Sequence, residues 1–110
     1  MTFMTRLADI SARPVEQIVG LDELADAVLT LRTREEARRF LRDLCTLPEL
    51  EALTHRWQTV KLLEKQVPYL EIAERVPTST ATVTRVAQWL HHGTGGYQLA
   101  LDRVRRGKRR

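Results

Sequence analysis

Between Thr78 and Gln88 the chain reads Thr-Ser-Thr-Ala-Thr-Val-Thr-Arg-Val-Ala-Gln. Wound as a helix at about 100° per residue, this run puts Val83, Val86, Ala87 and Leu90 on one apolar face. Ala81, Thr84, Arg85 and Gln88 fall on the opposite face, which is small, polar and without an acid. Such a face suits base edges in a groove. Alanine and threonine methyls can meet a thymine methyl, threonine and glutamine can hydrogen-bond a base, and arginine can take guanine or phosphate. Thr78 and Ser79 are good N-caps, so the helix would present free N–H groups near a phosphate.

Other reactive residues do not assemble into a site. His91 and His92 are adjacent and point to different sides of any regular element, and with His55 and Cys45 they lack metal-ligand spacing. No metal site is expected. Cys45 suits an apolar helix face, and no Cys–His–acid set accompanies it, so no catalytic residue and no enzyme activity are expected. Gly93, Gly95 and Gly96 follow no strand and precede no Lys-Ser/Thr, so they end a helix and turn the chain; they do not cradle a phosphate. Trp57 and Trp89 read as core or interface anchors.

The elements that must position the 78–88 run are helical throughout. Pro14 can open a short turn carrying Val15, Ile18 and Val19. A firmer helix is predicted over Leu21 to Leu31. Thr33 and Glu36 have capping-box spacing, and Ala37, Phe40, Leu41, Leu44 and Cys45 recur behind them at helical intervals. Arg34, Arg38, Arg39 and Arg42 occupy the other face of that helix. Pro48 suits the first turn of a third helix, striped by Leu50, Leu53, Trp57 and Val60 up to Lys65. Tyr69 to Val76, a three-residue turn and Thr80 to Leu90 then match helix-turn-helix spacing. Ile72 and Val76 are core positions, and Ala73 stands where two crossing helices approach. A last amphipathic helix carries Tyr97, Leu101 and Val104.

The charge is unevenly placed. The 110 residues hold 18 Lys+Arg and 14 Asp+Glu, but residues 103–110 hold 6 of the bases and no acid. The first 102 residues are therefore net −2. That excludes a uniformly basic body coating nucleic acid, and leaves a near-neutral body with a basic end. No apolar run reaches the roughly 18 residues of a membrane span, so no membrane partner is expected. The N-terminus lacks a secretory h-region, and a single cysteine fits a reducing, cytoplasmic compartment. Wide apolar stripes on several helices, with few residues to cover them, point to a core shared between two chains.

Ordered motifs now carry a resemblance. Ala81-Thr82-Val83-Thr84-Arg85 resembles the start of the recognition helix in the Trp repressor superfamily, and Leu47 to Leu53 followed by Arg56 resembles the start of its third helix. The match is closer to the YerC/YecD branch. Its motifs occur in order at 33–36 (Thr-Arg-Glu-Glu), 43–50, 71–75 (Glu-Ile-Ala-Glu-Arg), 79–86 and 92–97 (His-Gly-Thr-Gly-Gly-Tyr). The resemblance spans roughly residues 20 to 104.

The resemblance implies an all-α, intertwined homodimer. Its two helix-turn-helix heads would face successive major grooves of double-stranded DNA, about 34–36 Å apart. By position Tyr69, Leu70, Ala73, Thr80, Ala81 and Thr84 would meet DNA, with Ser79, Arg85 and Gln88 beside them. The implied organisation is an N-terminal arm over 1–20, a body over 21–104 with the helix-turn-helix at 69–90, and a basic tail over 105–110. Arg103, Arg105, Arg106, Lys108, Arg109 and Arg110 would attract phosphate. In the Trp repressor two arginines and a threonine hold the amino-acid corepressor, and Arg56, Arg85 and Thr82 match them. The glycine that makes room for the indole is Val86 here, so tryptophan is not expected and no cofactor is assigned.

Three residues depart from the family pattern. Pro77, locked near φ −65°, stands where the turn ordinarily uses a left-handed glycine. Pro68 replaces a Ser-like cap, and Leu70 replaces a common basic residue. The expected function is a sequence-specific DNA-binding regulator, most simply a repressor. The alternative is a helical adaptor whose helix-turn-helix binds a protein.

Overall fold

The computed structural model describes residues 17–108, and among them six α-helices and no strand. They fall into two units, Met1–Leu44 and Cys45–Arg110. Pro14 and Val15 lie outside the described residues.

The first unit contributes α1 (Leu21–Leu29) and α2 (Arg34–Leu44). Gly20 precedes α1 in the left-handed region, at φ 87°. Asp22 and Glu23 stand in the first turn, where the helix dipole favours acids. α1 stops at Leu29, two residues short of the expected end; there the Thr30 N–H and hydroxyl both donate to the Ala27 carbonyl, at 3.1 and 2.6 Å. Thr33 caps α2 as its spacing predicts, accepting from the Glu36 N–H at 3.1 Å. The Glu36 carboxylate then reaches back to the N–H of Arg32, at 2.9 Å, one residue earlier than in a regular capping box. No residue of α1 or α2 is buried, and Leu29 is 81% exposed.

The second unit contributes α3 (Leu47–Glu64), α4 (Tyr69–Arg75), α5 (Thr80–His92) and α6 (Gly96–Lys108). α3 opens on a full capping box. Thr46 accepts from the Glu49 N–H at 3.2 Å, and the Glu49 carboxylate accepts from the Thr46 N–H at 2.8 Å. α3 closes on Gln66 at φ 62°. The Gln66 and Val67 N–H groups bond the Leu63 and Leu62 carbonyls at 2.9 and 3.1 Å, the pattern of a Schellman cap built without glycine.

The cap of α3 carries a pH dependence. Hydrogen bonds from the Thr46 backbone and then its side chain hold the Glu49 carboxyl below its ordinary value. A lowered folded-state pKa contributes stability that is complete above the ordinary glutamate value, about 4.3, and is lost as pH falls through the lowered one. Glu49→Gln should therefore melt below the parent at neutral pH, and the gap should close in acid. Thermal melts at a series of pH values check this; a gap that stays constant into acid would show that the carboxylate is not the source.

Two small apolar clusters hold the second unit together. Val60, Val86, Leu90 and Leu101 join α3, α5 and α6, with Trp57, Leu63 and Tyr97 packed against them. Ile72, Val76 and Val83 join α4 to α5, with Leu62, Leu63, Val67 and Ala73 against them. Leu63 touches both clusters, so α3 is the spine on which α4, α5 and α6 are seated. Thr59 is fully buried on that spine, and its hydroxyl is satisfied by donating to the His55 carbonyl at 2.7 Å.

The ends of α5 and α6 also differ from the sequence expectation. α5 runs to His92, two residues past Leu90, and the Gly93 N–H completes its ladder on the Trp89 carbonyl at 2.9 Å. A Cβ at Gly93 would stand 2.3 Å from that backbone oxygen, so only glycine closes the helix this tightly. α6 continues to Lys108, so Arg105 and Arg106 are helical residues. Arg105 pairs with Glu64 of α3, and Arg106 pairs with Asp102 one turn back at 2.7 Å. Arg109 and Arg110 lie outside the described residues.

Candidate nucleic-acid interface

α4 and α5 make a helix-turn-helix whose turn, Val76 to Ser79, contains no left-handed residue. Val76 leaves α4 extended at φ −105°, ψ 120°, and Ser79 enters α5 extended at φ −97°, ψ 158°. Pro77 is thereby accommodated: the chain reverses through extended residues at both ends of the turn, and the glycine of the usual turn is not needed. The Ser79 hydroxyl closes the turn by accepting from the Thr82 N–H at 3.1 Å. Pro68 starts α4 without a side-chain cap, and Glu71 and Arg75 pair along it at 3.2 Å.

Most of the expected contact residues are exposed. Ser79, Thr80, Ala81, Thr84, Arg85 and Gln88 are all exposed on α5, whose other face is buried through Val83, Val86, Ala87 and Leu90. Tyr69 and Leu70 are exposed on α4, Leu70 at 72%. Ala73 is half-buried against the Ile72 cluster, which leaves it a packing position more than a contact. The surface carries no acid between Ser79 and Gln88. The Thr84 hydroxyl is turned back on the helix, donating to the Thr80 carbonyl at 3.0 Å.

Arg56, Thr82 and Arg85 also come together. They line one cavity of about 510 Å³ beside the turn, with His55 and Thr78. Val86, Trp89 and Tyr97 supply apolar and aromatic wall. Neither arginine has a hydrogen bond or ion pair among the described residues. Two guanidinium groups, an imidazole and two hydroxyls without a lining carboxylate make this an anion-accepting concavity. His55, Thr78, Trp89 and Tyr97 are not among the residues that the resemblance places at this site. His55 and Trp89 were accessible in principle, since 52, 55 and 56 on α3 and 82, 85, 86 and 89 on α5 repeat at helical spacing; Thr78 lies in the turn, outside both runs. Tyr97 reaches the cavity only through the fold. Trp89 is 59% exposed in the single chain, on the cavity rim and away from the core clusters.

The remaining candidates stay apart. Cys45 is half-buried, and among the described residues no group of three His, Cys, Asp or Glu side chains converges as metal ligands would. His91 and His92 stack edge to face at the end of α5, with centroids 6.4 Å apart. Arg34, Arg38, Arg39 and Arg42 are exposed on α2. No described helix is long and apolar enough to cross a membrane.

Comparison with known proteins matches this architecture. The Trp repressor protein family matches the chain over residues 19–105. The YerC protein of Bacillus subtilis is 39% identical over 85 residues, which cover 77% of this chain and 82% of YerC. Among solved structures, a TrpR-like protein from Eubacterium eligens superposes with a TM-score of 0.75 at 35% identity, covering 80% of this chain and 91% of its own. A Staphylococcus aureus protein also superposes with a TM-score of 0.75, at 38% identity, covering 88% and 93% of the two chains. With the helix-turn-helix, its acid-free face and the ordered motifs all falling inside the matched span, the chain belongs to the Trp repressor family, in the YerC-like branch of that superfamily.

Proposed function

We propose that this chain is a sequence-specific double-stranded-DNA-binding regulator of transcription, acting in the cytoplasm as a homodimer on a palindromic operator and repressing by occupancy. The observation that carries the proposal is the exposed, acid-free face of α5, seated on a buried opposite face and capped by Ser79. A protein-binding adaptor has less support, because the exposed residues of α5 up to Gln88 include none of the large apolar anchors that dominate protein interfaces. The homodimer is supported by the uncovered stripes of α1 and α2, where Val28, Leu29, Leu41 and Leu44 are exposed in one chain. Leaving so many large apolar groups in water is costly, and a second copy is the simplest cover.

Charge divides the work. Residues 68–90 balance at two acids and two bases, so the head itself attracts phosphate weakly. Arg103, Arg105, Arg106, Lys108, Arg109 and Arg110 add attraction that is independent of sequence, moderated by the Glu64 and Asp102 pairs. The cavity favours one addition, an anionic effector held by Arg56, Thr82 and Arg85. Tryptophan is not that effector in this proposal, because Val86 occupies space the indole would need.

Titration of the full chain against DNA selected from a random library tests the reading. Affinity should be saturable and should fall steeply between about 50 and 200 mM salt, with each neutralised phosphate adding about −0.9 to the log–log slope. The sedimenting species should have twice the chain mass. No saturable binding to any fragment would favour the adaptor, and a monomer at micromolar concentration would sink the dimer.

A further inference from the structure

The outward face of α5 is less polar than its sequence, and the reason is where its hydroxyls go. Four hydroxyl residues, Ser79, Thr80, Thr82 and Thr84, stand within its first turn and a half. Ser79 is spent on the Thr82 N–H, and the Ser79 and Thr82 hydroxyls share a further hydrogen bond, both at 3.1 Å. Thr84 is spent on the Thr80 carbonyl at 3.0 Å. With its oxygen folded against the backbone, Thr84 presents its methyl group outward. Ala81, one turn earlier on the same exposed face, presents another. The two lie side by side between the capped start of the helix and Gln88.

On the reading that this face enters the major groove, we infer that Thr84 and Ala81 together recognise the C5-methyl of a thymine. Thymine alone among the four bases places a methyl in that groove, and apolar contact is how a protein senses it. Thr84 then acts as a specificity residue through its methyl, not as a hydrogen-bonding partner of a base. Its hydroxyl is a positioning group: bonding Thr80 fixes the rotamer that turns the methyl outward.

Deoxyuridine lacks that methyl and leaves the pairing edge unchanged, so it is the probe. In a duplex selected from a random library, each thymine of one half-site is replaced in turn by deoxyuridine, and affinity is read by fluorescence anisotropy. At one or two positions the parent should bind roughly fourfold more weakly, the effect of one buried methyl. Thr84→Ser keeps the hydroxyl and removes the methyl; it should bind the parent duplex roughly fourfold more weakly and lose most of the deoxyuridine penalty at that position, Ala81 holding the remainder. Thr84→Val keeps a methyl and removes the hydroxyl; it should retain the deoxyuridine penalty. A parent indifferent to deoxyuridine everywhere, a Thr84→Ser variant with the full penalty at every position, or a Thr84→Val variant that loses it would overturn the inference and leave DNA reading standing. Failure of the parent to select any sequence would overturn the DNA reading itself, and this inference with it.

Discussion

Ile72→Ala should lower the free energy of unfolding by about 2–5 kcal/mol, the largest stability effect expected of any single truncation in the helix-turn-helix. Ile72 has no solvent exposure and is the largest fully buried side chain of the second unit. It joins α4 to α5 through Val76 and Val83, and Leu62, Leu63 and Val67 close over the same cluster. α4 has only seven residues, too few to be stable by itself, so this cluster is what holds it. A cavity at Ile72 cannot be refilled without moving α4, because Pro68 fixes one end and the Pro77 turn the other. Urea or thermal denaturation measures the loss. Leu70→Ala, on the same helix but 72% exposed, is the contrast and should stay within about 0.5 kcal/mol. If the two variants proved equally mild, α4 would not be anchored as the burial indicates.

Arg85→Ala should weaken binding at a cognate site by roughly 1–3 kcal/mol, and Thr84→Ala by about 0.8 kcal/mol, the effect of one methyl; both should relax sequence preference there. Arg85 is exposed and unpaired among the described residues, so its removal leaves no acid without a partner and the loss reports DNA contact directly. It stands at the border between the outward face and the cavity, one residue past Thr84. A fork of donors in that place can take guanine or a phosphate oxygen, and Arg85→Lys should recover only part of the affinity, because an ammonium does not bond bidentately. Anisotropy titrations against the selected site and against scrambled duplex separate specific from nonspecific loss. Binding unchanged in both alanine variants would remove α5 from the role of reading helix.

How much of this was legible in the sequence varies by element. The buried face of α5 was readable in full: Val83, Val86, Ala87 and Leu90 recur at helical spacing, and all four are buried. The cap at Thr33 was readable because a capping box is a local pattern, and the Thr46–Glu49 box was equally local though it was passed over. The end of α5 was misplaced because two histidines beside a glycine-rich run look like a break. Helix ends depend on which backbone group finds a partner, and the Gly93 N–H finds Trp89. Ser79 caps α5 as its residue type predicts, but the extended path of the Pro77 turn is not readable from residue types alone.

The sequence by itself determined the helices, their buried stripes and the acid-free face of α5, because these depend on residues within a few turns of one another. It also carried the ordered motifs that identify the family. Tertiary structure alone decided two things. It gathered Arg56 from α3, Arg85 from α5 and Tyr97 from α6 around one cavity, across gaps of chain that no periodicity spans. It drew Arg105 out of the basic tail and onto Glu64, which makes the last turns of α6 part of the folded unit. The Thr84 hydroxyl, by contrast, is set locally, by the Thr80 carbonyl one turn back in the same helix at 3.0 Å.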